Sequence, residues 1–277
     1  MELHMKIAQI QTNVYKDKKK NLENLEAYLR KIAPERPDLA AVGEMFSCPY
    51  ATENFPVYAE KEGGETWTSL SELAAKYQIY LSAGSVPEVD DQGKVYNTAY
   101  VFDRQGRQIA KHRKMHLFDI AIQGGQYFRE SDTLTAGNQV TVLKTEFGMI
   151  GLCICFDFRF PELARLMVDQ GAKVILVPAA FNMTTGPRHW ELMHQSRALD
   201  NQCFVVSTSP ARDANADYVA WGHSLIVSPW GDVIAEMDER EGYIITEIDL
   251  NEVDTVRGQL PLLQARRKDI YDLHCIE

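Results

Sequence analysis

The chain has 277 residues, 45% of them hydrophobic and 25% charged, with a formal net charge of −10. That length supports one large domain with a sizeable core over residues 1–277. The acidic balance without a basic stripe argues against nucleic acid as a partner, and no apolar run approaches the roughly 18 residues of a membrane helix. The five cysteines are Cys48, Cys153, Cys155, Cys203 and Cys275. An odd count behind an N-terminus with no leader-like charged and apolar regions points to free thiols in a reducing cytoplasm, not to a disulfide framework.

In chain order, residues 5–12 (MKIAQIQT) alternate apolar and polar side chains and predict a strand. Residues 17–32 predict a helix, with Leu22, Leu25, Leu29 and Ile32 on one face. A short buried strand is expected over 38–44, a helix over 66–78 and a strand over 79–86. Residues 95–103 and 108–114 predict a hairpin around Arg104-Gln105-Gly106. Residues 140–147 and 149–155 form a second pair turning at Gly148, followed by a helix over 161–170 that opens on a proline. A strand at 173–180, a helix at 188–202 and strands at 203–209, 221–229, 233–237 and 243–250 complete the pattern. Helices alternate with strands, but hairpins are interspersed. The fold expected is therefore α/β with a mixed sheet.

Three of the predicted strands end in reactive side chains: Glu44, Lys114 and Cys155. Ligands of open α/β sheets bind beyond the carboxyl ends of strands, so a carboxylate, an ammonium and a thiol would converge at one rim. The GLCICFDFRFPEL stretch, residues 151–163, poses the choice between metal site, redox pair and single nucleophile. Cys-Ile-Cys has one intervening residue, too few for the usual zinc pair or for a Cys-x-x-Cys redox motif. In a strand, Cys153 and Cys155 would share a face, with Cys155 nearer the turn. Cys155 is then the nucleophile and Cys153 packing. Only the thiolate attacks, and a carboxylate with an ammonium beside it supplies the means to form it.

GEMFSCPY, HRKMHLFD, YFRESDTLTAG and GLCICFDFRFPEL, in this order, resemble the nitrilase (carbon-nitrogen hydrolase) superfamily. The resemblance runs over nearly the whole chain. It implies a four-layer α-β-β-α sandwich, a Glu-Lys-Cys triad at Glu44, Lys114 and Cys155, and a second glutamate, Glu130, that positions the lysine. FNMTTGPRHWELMHQSRALDNQ and SPARDANADYVAWGHSLIVSPWG are similar to the omega-amidase branch. That branch removes the terminal amide of short dicarboxylate monoamides such as α-ketoglutaramate and succinamate. Deaminated-glutathione hydrolysis, acyl transfer and an inactive binding or assembly protein on the same fold are the competing readings. Cys155-Phe156-Asp157 stands where true nitrilases carry Cys-Trp-Glu, which counts against nitriles.

The mechanism so implied holds the oxyanion on Lys114 and the Phe156 N–H. Arg159 has two readings: a bidentate grip on a substrate carboxylate, or a pin on the turn through Asp157 or Glu162. Phe181 is expected as an apolar wall. His112 and His116 lack an evident third metal ligand and read as hydrogen-bonded histidines. No metal or cofactor is expected, since no ligand cluster or Gly-rich phosphate loop is present. The partners expected are a small amide substrate and a second copy of the chain. The helices at 161–170 and 188–202 carry Leu166, Met167, Trp190 and Met193, and the family commonly pairs through helices at these places.

Overall fold

The computed structural model describes residues 3–123 and 127–276, so both ends of the domain expected over 1–277 lie outside the described residues. The first half runs β1 (His4–Gln11), α1 (Lys18–Ile32), β2 (Leu39–Val42), α2 (Asn54–Tyr58), α3 (Glu65–Tyr77), β3 (Tyr80–Ser82), β4 (Val86–Val89), β5 (Val95–Phe102) and β6 (Gln108–Arg113). Next come β7 (Asp119–Ala121), β8 (Tyr127–Arg129), β9 (Thr141–Thr145), β10 (Gly148–Leu152), α4 (Pro161–Asp169), β11 (Ala172–Pro178), α5 (Gly186–Asn201) and β12 (Phe204–Thr208). The chain closes with β13 (Leu225–Val227), β14 (Val233–Glu236), β15 (Gly242–Asp249) and α6 (Asn251–Gln259).

Two mixed sheets face each other. The first has the order β15-β1-β2-β3-β5-β4 with β6 on β5, and the second β14-β13-β12-β11-β10-β9. Parallel pairs β1–β2–β3 and β10–β11–β12 form the centre of each, and antiparallel strands flank them. Side-chain alternation sorts the layers. Ile7, Leu39, Ala41, Ala99 and Val101 point inward against Ile150, Leu176 and Val206 of the second sheet. Ala8, Ile10, Ala40, Val42, Tyr100 and Phe102 point outward under Leu25, Leu29, Leu70 and Leu73 of α1 and α3. Met167 of α4 and Trp190 and Ala198 of α5 cover the second sheet. This is the four-layer α-β-β-α sandwich expected. Gln9 crosses between sheets, its Nε2 donating to Ser207 O at 2.7 Å and Leu225 O at 3.1 Å.

Local chemistry explains the boundaries. Asp17 caps α1 by accepting the Lys19 N–H at 2.9 Å, and Pro161 opens α4 with no N–H to orphan.

Several expectations change. The strand at 79–86 is two strands, β3 and β4, broken at Gly84 (φ +62°), where a Cβ would approach Gly43 O to 2.1 Å. β10 stops at Leu152, so the predicted strand to residue 155 is too long. β15 pairs antiparallel with β1 and belongs to the first sheet. α2, α6, β7 and β8 were not expected from the sequence. Met167 and Trp190, expected on a pairing surface, are 0% and 1% exposed and face the core. The cysteines are free, with only Cys275 exposed. Among the described residues no helix is long and apolar enough to cross a membrane.

Candidate active site

Glu44, Lys114 and Cys155 each lie just past a carboxyl strand end, those of β2, β6 and β10, and Glu130 follows β8 directly. All four are buried: Glu44, Lys114 and Glu130 are 0% exposed and Cys155 5%. Cys155 opens a short 3-10 turn, Cys155–Arg159, with φ at +46°, and Met45, next to Glu44, has φ at +52°. Left-handed backbone at two non-glycine residues beside one site is strain held by its surroundings. Gly137, from the TLTAG stretch, closes the other side. Its N–H donates to Lys114 O at 2.8 Å, and a Cβ there would sit 2.1 Å from Arg113 O.

Lys114 Nζ donates to Glu44 Oε1 at 2.8 Å and to Glu130 Oε1 at 2.9 Å. Glu44 Oε1 also accepts Asn97 Nδ2 at 2.8 Å and lies 3.0 Å from the Tyr50 hydroxyl. Glu44 Oε2 accepts the Ala180 N–H at 2.8 Å, and the Glu44 carboxylate lies beside the Cys155 thiol. Glu130 Oε2 accepts the Phe118 N–H at 2.6 Å, and the Tyr50 hydroxyl reaches Glu130 Oε1 at 2.5 Å.

Two carboxylates and one ammonium leave an excess of negative charge among buried side chains. Burial and the Glu44 charge raise the Glu130 carboxyl above its usual range. Burial alone would lower the Lys114 ammonium, but Glu130 and Glu44 outweigh it and hold the cation. Burial, then Glu44, pushes the Cys155 thiol well above its ordinary value, and Lys114 only partly offsets them. The lysine therefore does not maintain a standing thiolate, as a simple reading of the ion pair suggests. The thiol is neutral at rest, with a carboxylate placed to take its proton.

Exposure does not separate the two cysteines as strand geometry predicted. Both are buried, and both lie beyond the last residue of β10, where alternation no longer applies. What separates them is their neighbours: Cys155 faces Glu44 and Lys114, whereas Cys153 sits in the core near Asp157.

Asp157 is the hub of the nucleophile turn. It accepts the Met115 N–H at 3.0 Å, the His116 N–H at 2.8 Å and the Ile154 N–H at 3.1 Å. His112 Nε2 lies 2.9 Å and His116 Nδ1 2.8 Å from its two oxygens. Burial opposes its charge, but these donors win and hold the carboxyl far below its usual range. His112 and His116 are thus hydrogen-bonded to Asp157, and Asp157 is not available to Arg159. The turn is pinned instead by Arg197, which donates to Phe158 O at 3.2 Å and Arg159 O at 2.8 Å.

Among the described residues Arg159 has no carboxylate partner, Glu162 included. Its guanidinium lies 4.6 Å from the Phe181 ring and 5.8 Å from that of Phe156, and Nη1 is 3.2 Å from His189 Nδ1. Phe181 is buried, with its ring 5.0 Å from that of Trp190. Phe156 packs on Phe118 at 5.2 Å. The first turn of a helix leaves its leading N–H groups without intrahelical acceptors, which is the position of Phe156 in the 3-10 turn. Tyr50 stacks on Tyr218 at 4.5 Å, and a cavity of about 370 Å³ opens beside Glu44, Tyr50, Ala180 and Tyr218.

Sequence reasoning missed Tyr50, Asn97, Asp157, Tyr218 and the Ala180 N–H. Tyr50 lies in the GEMFSCPY stretch and Asp157 beside the nucleophile, so those two carried a signal in position. Asn97, inside an ordinary strand, carried none.

A buried thiol between a carboxylate and an ammonium, at the rim where two sheets of an α-β-β-α sandwich meet, defines a cysteine-based hydrolase of carbon–nitrogen bonds. The chain belongs to the carbon-nitrogen hydrolase family, which it matches over residues 6–258. It is 47% identical to the omega-amidase NIT2 of Xenopus tropicalis over 256 residues, covering 92% of each chain. Among solved structures it is similar to Nit3 of Saccharomyces cerevisiae, a member of branch 10 of the nitrilase superfamily (TM-score 0.88, 38% identity, covering 96% of this chain and 97% of that one). It is also similar to the C. elegans NitFhit protein (TM-score 0.92, 33% identity, covering 100% of this chain and 68% of that one).

Proposed function

We propose that this chain hydrolyses the terminal amide of short dicarboxylate monoamides, of the α-ketoglutaramate and succinamate type, through a thioester on Cys155. The observation that carries the chemistry is the buried cluster in which Cys155 lies beside Glu44 and Glu44 accepts Lys114 Nζ at 2.8 Å. The observation that carries the substrate class is Arg159, a guanidinium on the nucleophile turn over Phe181 with no carboxylate partner among the described residues.

Glu44 takes the Cys155 proton as sulfur bonds to the amide carbon. The carbonyl oxygen becomes an oxyanion held by the Lys114 ammonium and the Phe156 N–H. The carbon–nitrogen bond breaks as Glu44 returns the proton to nitrogen, and ammonia leaves. Glu44 then takes a proton from water, whose oxygen attacks the thioester carbon. The carbon–sulfur bond breaks and the thiol regains its proton. Glu130 holds Lys114 through this cycle, and Arg159 holds the distal carboxylate. No step calls on a metal or cofactor.

The free cysteines fit a reducing, cytoplasmic setting. The chain pairs as a C2 homodimer through α5, whose Leu192 and Leu199 are 68% and 43% exposed. Light scattering giving a monomer mass at micromolar concentration rejects that pairing.

Ammonia release from a panel of ω-amides, ureido acids and nitriles tests the reading. Succinamate and α-ketoglutaramate are expected to lead the panel. Preference for ureido acids or nitriles overturns the substrate class.

A further inference from the structure

Asn97 lies on β5 with no exposed surface, and it has no place in the catalytic cycle above. We propose that Asn97 is a positioning residue for the reaction: it occupies one oxygen of Glu44, so that only the other oxygen takes the Cys155 proton. This rests on Glu44 as the general base.

Three groups converge on Oε1 of Glu44: Asn97 Nδ2 at 2.8 Å, Lys114 Nζ at 2.8 Å and the Tyr50 hydroxyl at 3.0 Å. A carboxylate oxygen offers about two lone-pair sites, so Oε1 has none left for a mobile proton. Among the described residues Oε2 accepts the Ala180 N–H alone, at 2.8 Å, which leaves it a lone-pair site for the proton of the neighbouring Cys155 thiol. Asn97 also serves the lysine, because its main-chain oxygen accepts the Lys114 N–H at 2.8 Å. One residue thus sets the strand end that carries Lys114 and the carboxylate that Lys114 meets.

The amide orientation follows from chemistry. An ionised carboxylate only accepts, so Asn97 must turn Nδ2 toward it. That leaves Asn97 Oδ1 buried without a hydrogen-bond partner among the described residues. An orphaned buried acceptor is unfavourable, and a leucine of similar volume has none. Asn97 thus gives its donor to Glu44 while its own acceptor goes unpaired.

The groups facing Glu44 are Lys114 after β6, Glu130 after β8, Tyr50 after β2, Cys155 on its turn and Tyr218 from the segment before β13. Loss of a donor to a carboxylate favours the protonated form, and a new negative charge favours it further. Asn97→Ala should therefore lower kcat by roughly tenfold to a hundredfold with KM held within about twofold. The acid limb of the kcat/KM profile should move to higher pH, and further still in Asn97→Asp. In a Glu44→Gln background, Asn97→Ala should add no further loss. Profiles that superimpose on the parent enzyme, or a raised KM at unchanged kcat, overturn the proposal. If Asn97→Ala does not fold, the nearly isosteric Asn97→Asp carries the same test. Full turnover by Glu44→Gln alone overturns the base assignment itself, and with it the role given to Asn97. A silent Asn97 beside an inactive Glu44→Gln overturns Asn97 only.

Discussion

One short stretch, Lys111-His112-Arg113-Lys114, feeds two ion clusters of opposite character. Glu88 of β4 is 2% exposed and accepts Lys111 Nζ at 2.5 Å, Arg113 Nη2 at 2.7 Å and Thr98 Oγ1 at 2.6 Å. Burial opposes its charge, yet two cations hold the carboxyl below its usual range. A turn away, Lys114 faces two carboxylates, and burial with the Glu44 charge holds Glu130 above that range. Glu62 also accepts Lys111 Nζ, at 2.7 Å, so the first cluster is charge-balanced at two carboxylates and two cations, and both cations reach solvent. The second carries one carboxylate more than its cations, and all three charged side chains are fully buried. Balance fastens a sheet edge, whereas excess acid beside a thiol keeps a proton acceptor ready.

The sharpest way to break that contrast is at the thiol. Cys155→Ala should abolish ammonia release, and Cys153→Ala should keep most of it. Mass spectrometry with a slow substrate should place the acyl adduct on Cys155; an adduct on Cys153 ends the assignment. Next comes the surplus carboxylate. Glu130→Gln should cut kcat by about tenfold to a hundredfold, because Lys114 loses one of its two anchors. Unchanged kcat would mean that Glu130 is as structural as Glu88.

Glu88→Gln probes the balanced side. Turnover should stay within about threefold, while stability falls by about 1–2 kcal/mol, less than for a sealed pair because both cations reach solvent. The sign with pH is fixed by the lowered carboxyl. Its stabilisation is fully present above the unfolded value of about 4.3 and fades as pH falls through the folded value. Melting temperature should therefore depend less steeply on pH below about 4 in Glu88→Gln than in the parent. The reverse pattern, lost turnover at unchanged stability, erases the distinction between the clusters.

The smallest effect is expected at the rim. Arg159→Lys keeps the charge but loses the fork, so kcat/KM for succinamate should fall by roughly tenfold, about 1.4 kcal/mol. A neutral amide of similar length should be turned over nearly as before. Equal losses on both, with a lower melting temperature, would make Arg159 a structural residue.

The sequence was most readable where periodicity was long. β1, α1, the β5–β6 and β9–β10 pairs, α4 and α5 each show several repeats of their pattern or a glycine turn. β7 and β8 have three residues each, too few to alternate, and α6 buries only Val253 and Val256, too thin a stripe. Glu44, Lys114 and Cys155 were legible because each follows a recognisable strand. Glu130 follows a strand too short to see, and it came only with the family resemblance. Asn97 meets Glu44 across 53 residues and His112 meets Asp157 across 45, contacts that no local pattern encodes. The cysteine-face prediction failed because β10 ends three residues before the nucleophile.

The Asp157 carboxylate has a kinetic consequence. It fastens Met115 and His116 from one loop and Ile154 from another to a single fully buried acceptor group. None of the three amides can lose its bond by local fraying without exposing that charge. Their hydrogens should exchange with solvent in one concerted event, at one common rate. A common rate would mean that the segment beside Lys114 and the turn that carries Cys155 are one cooperative unit, and three unrelated rates would mean that they are not.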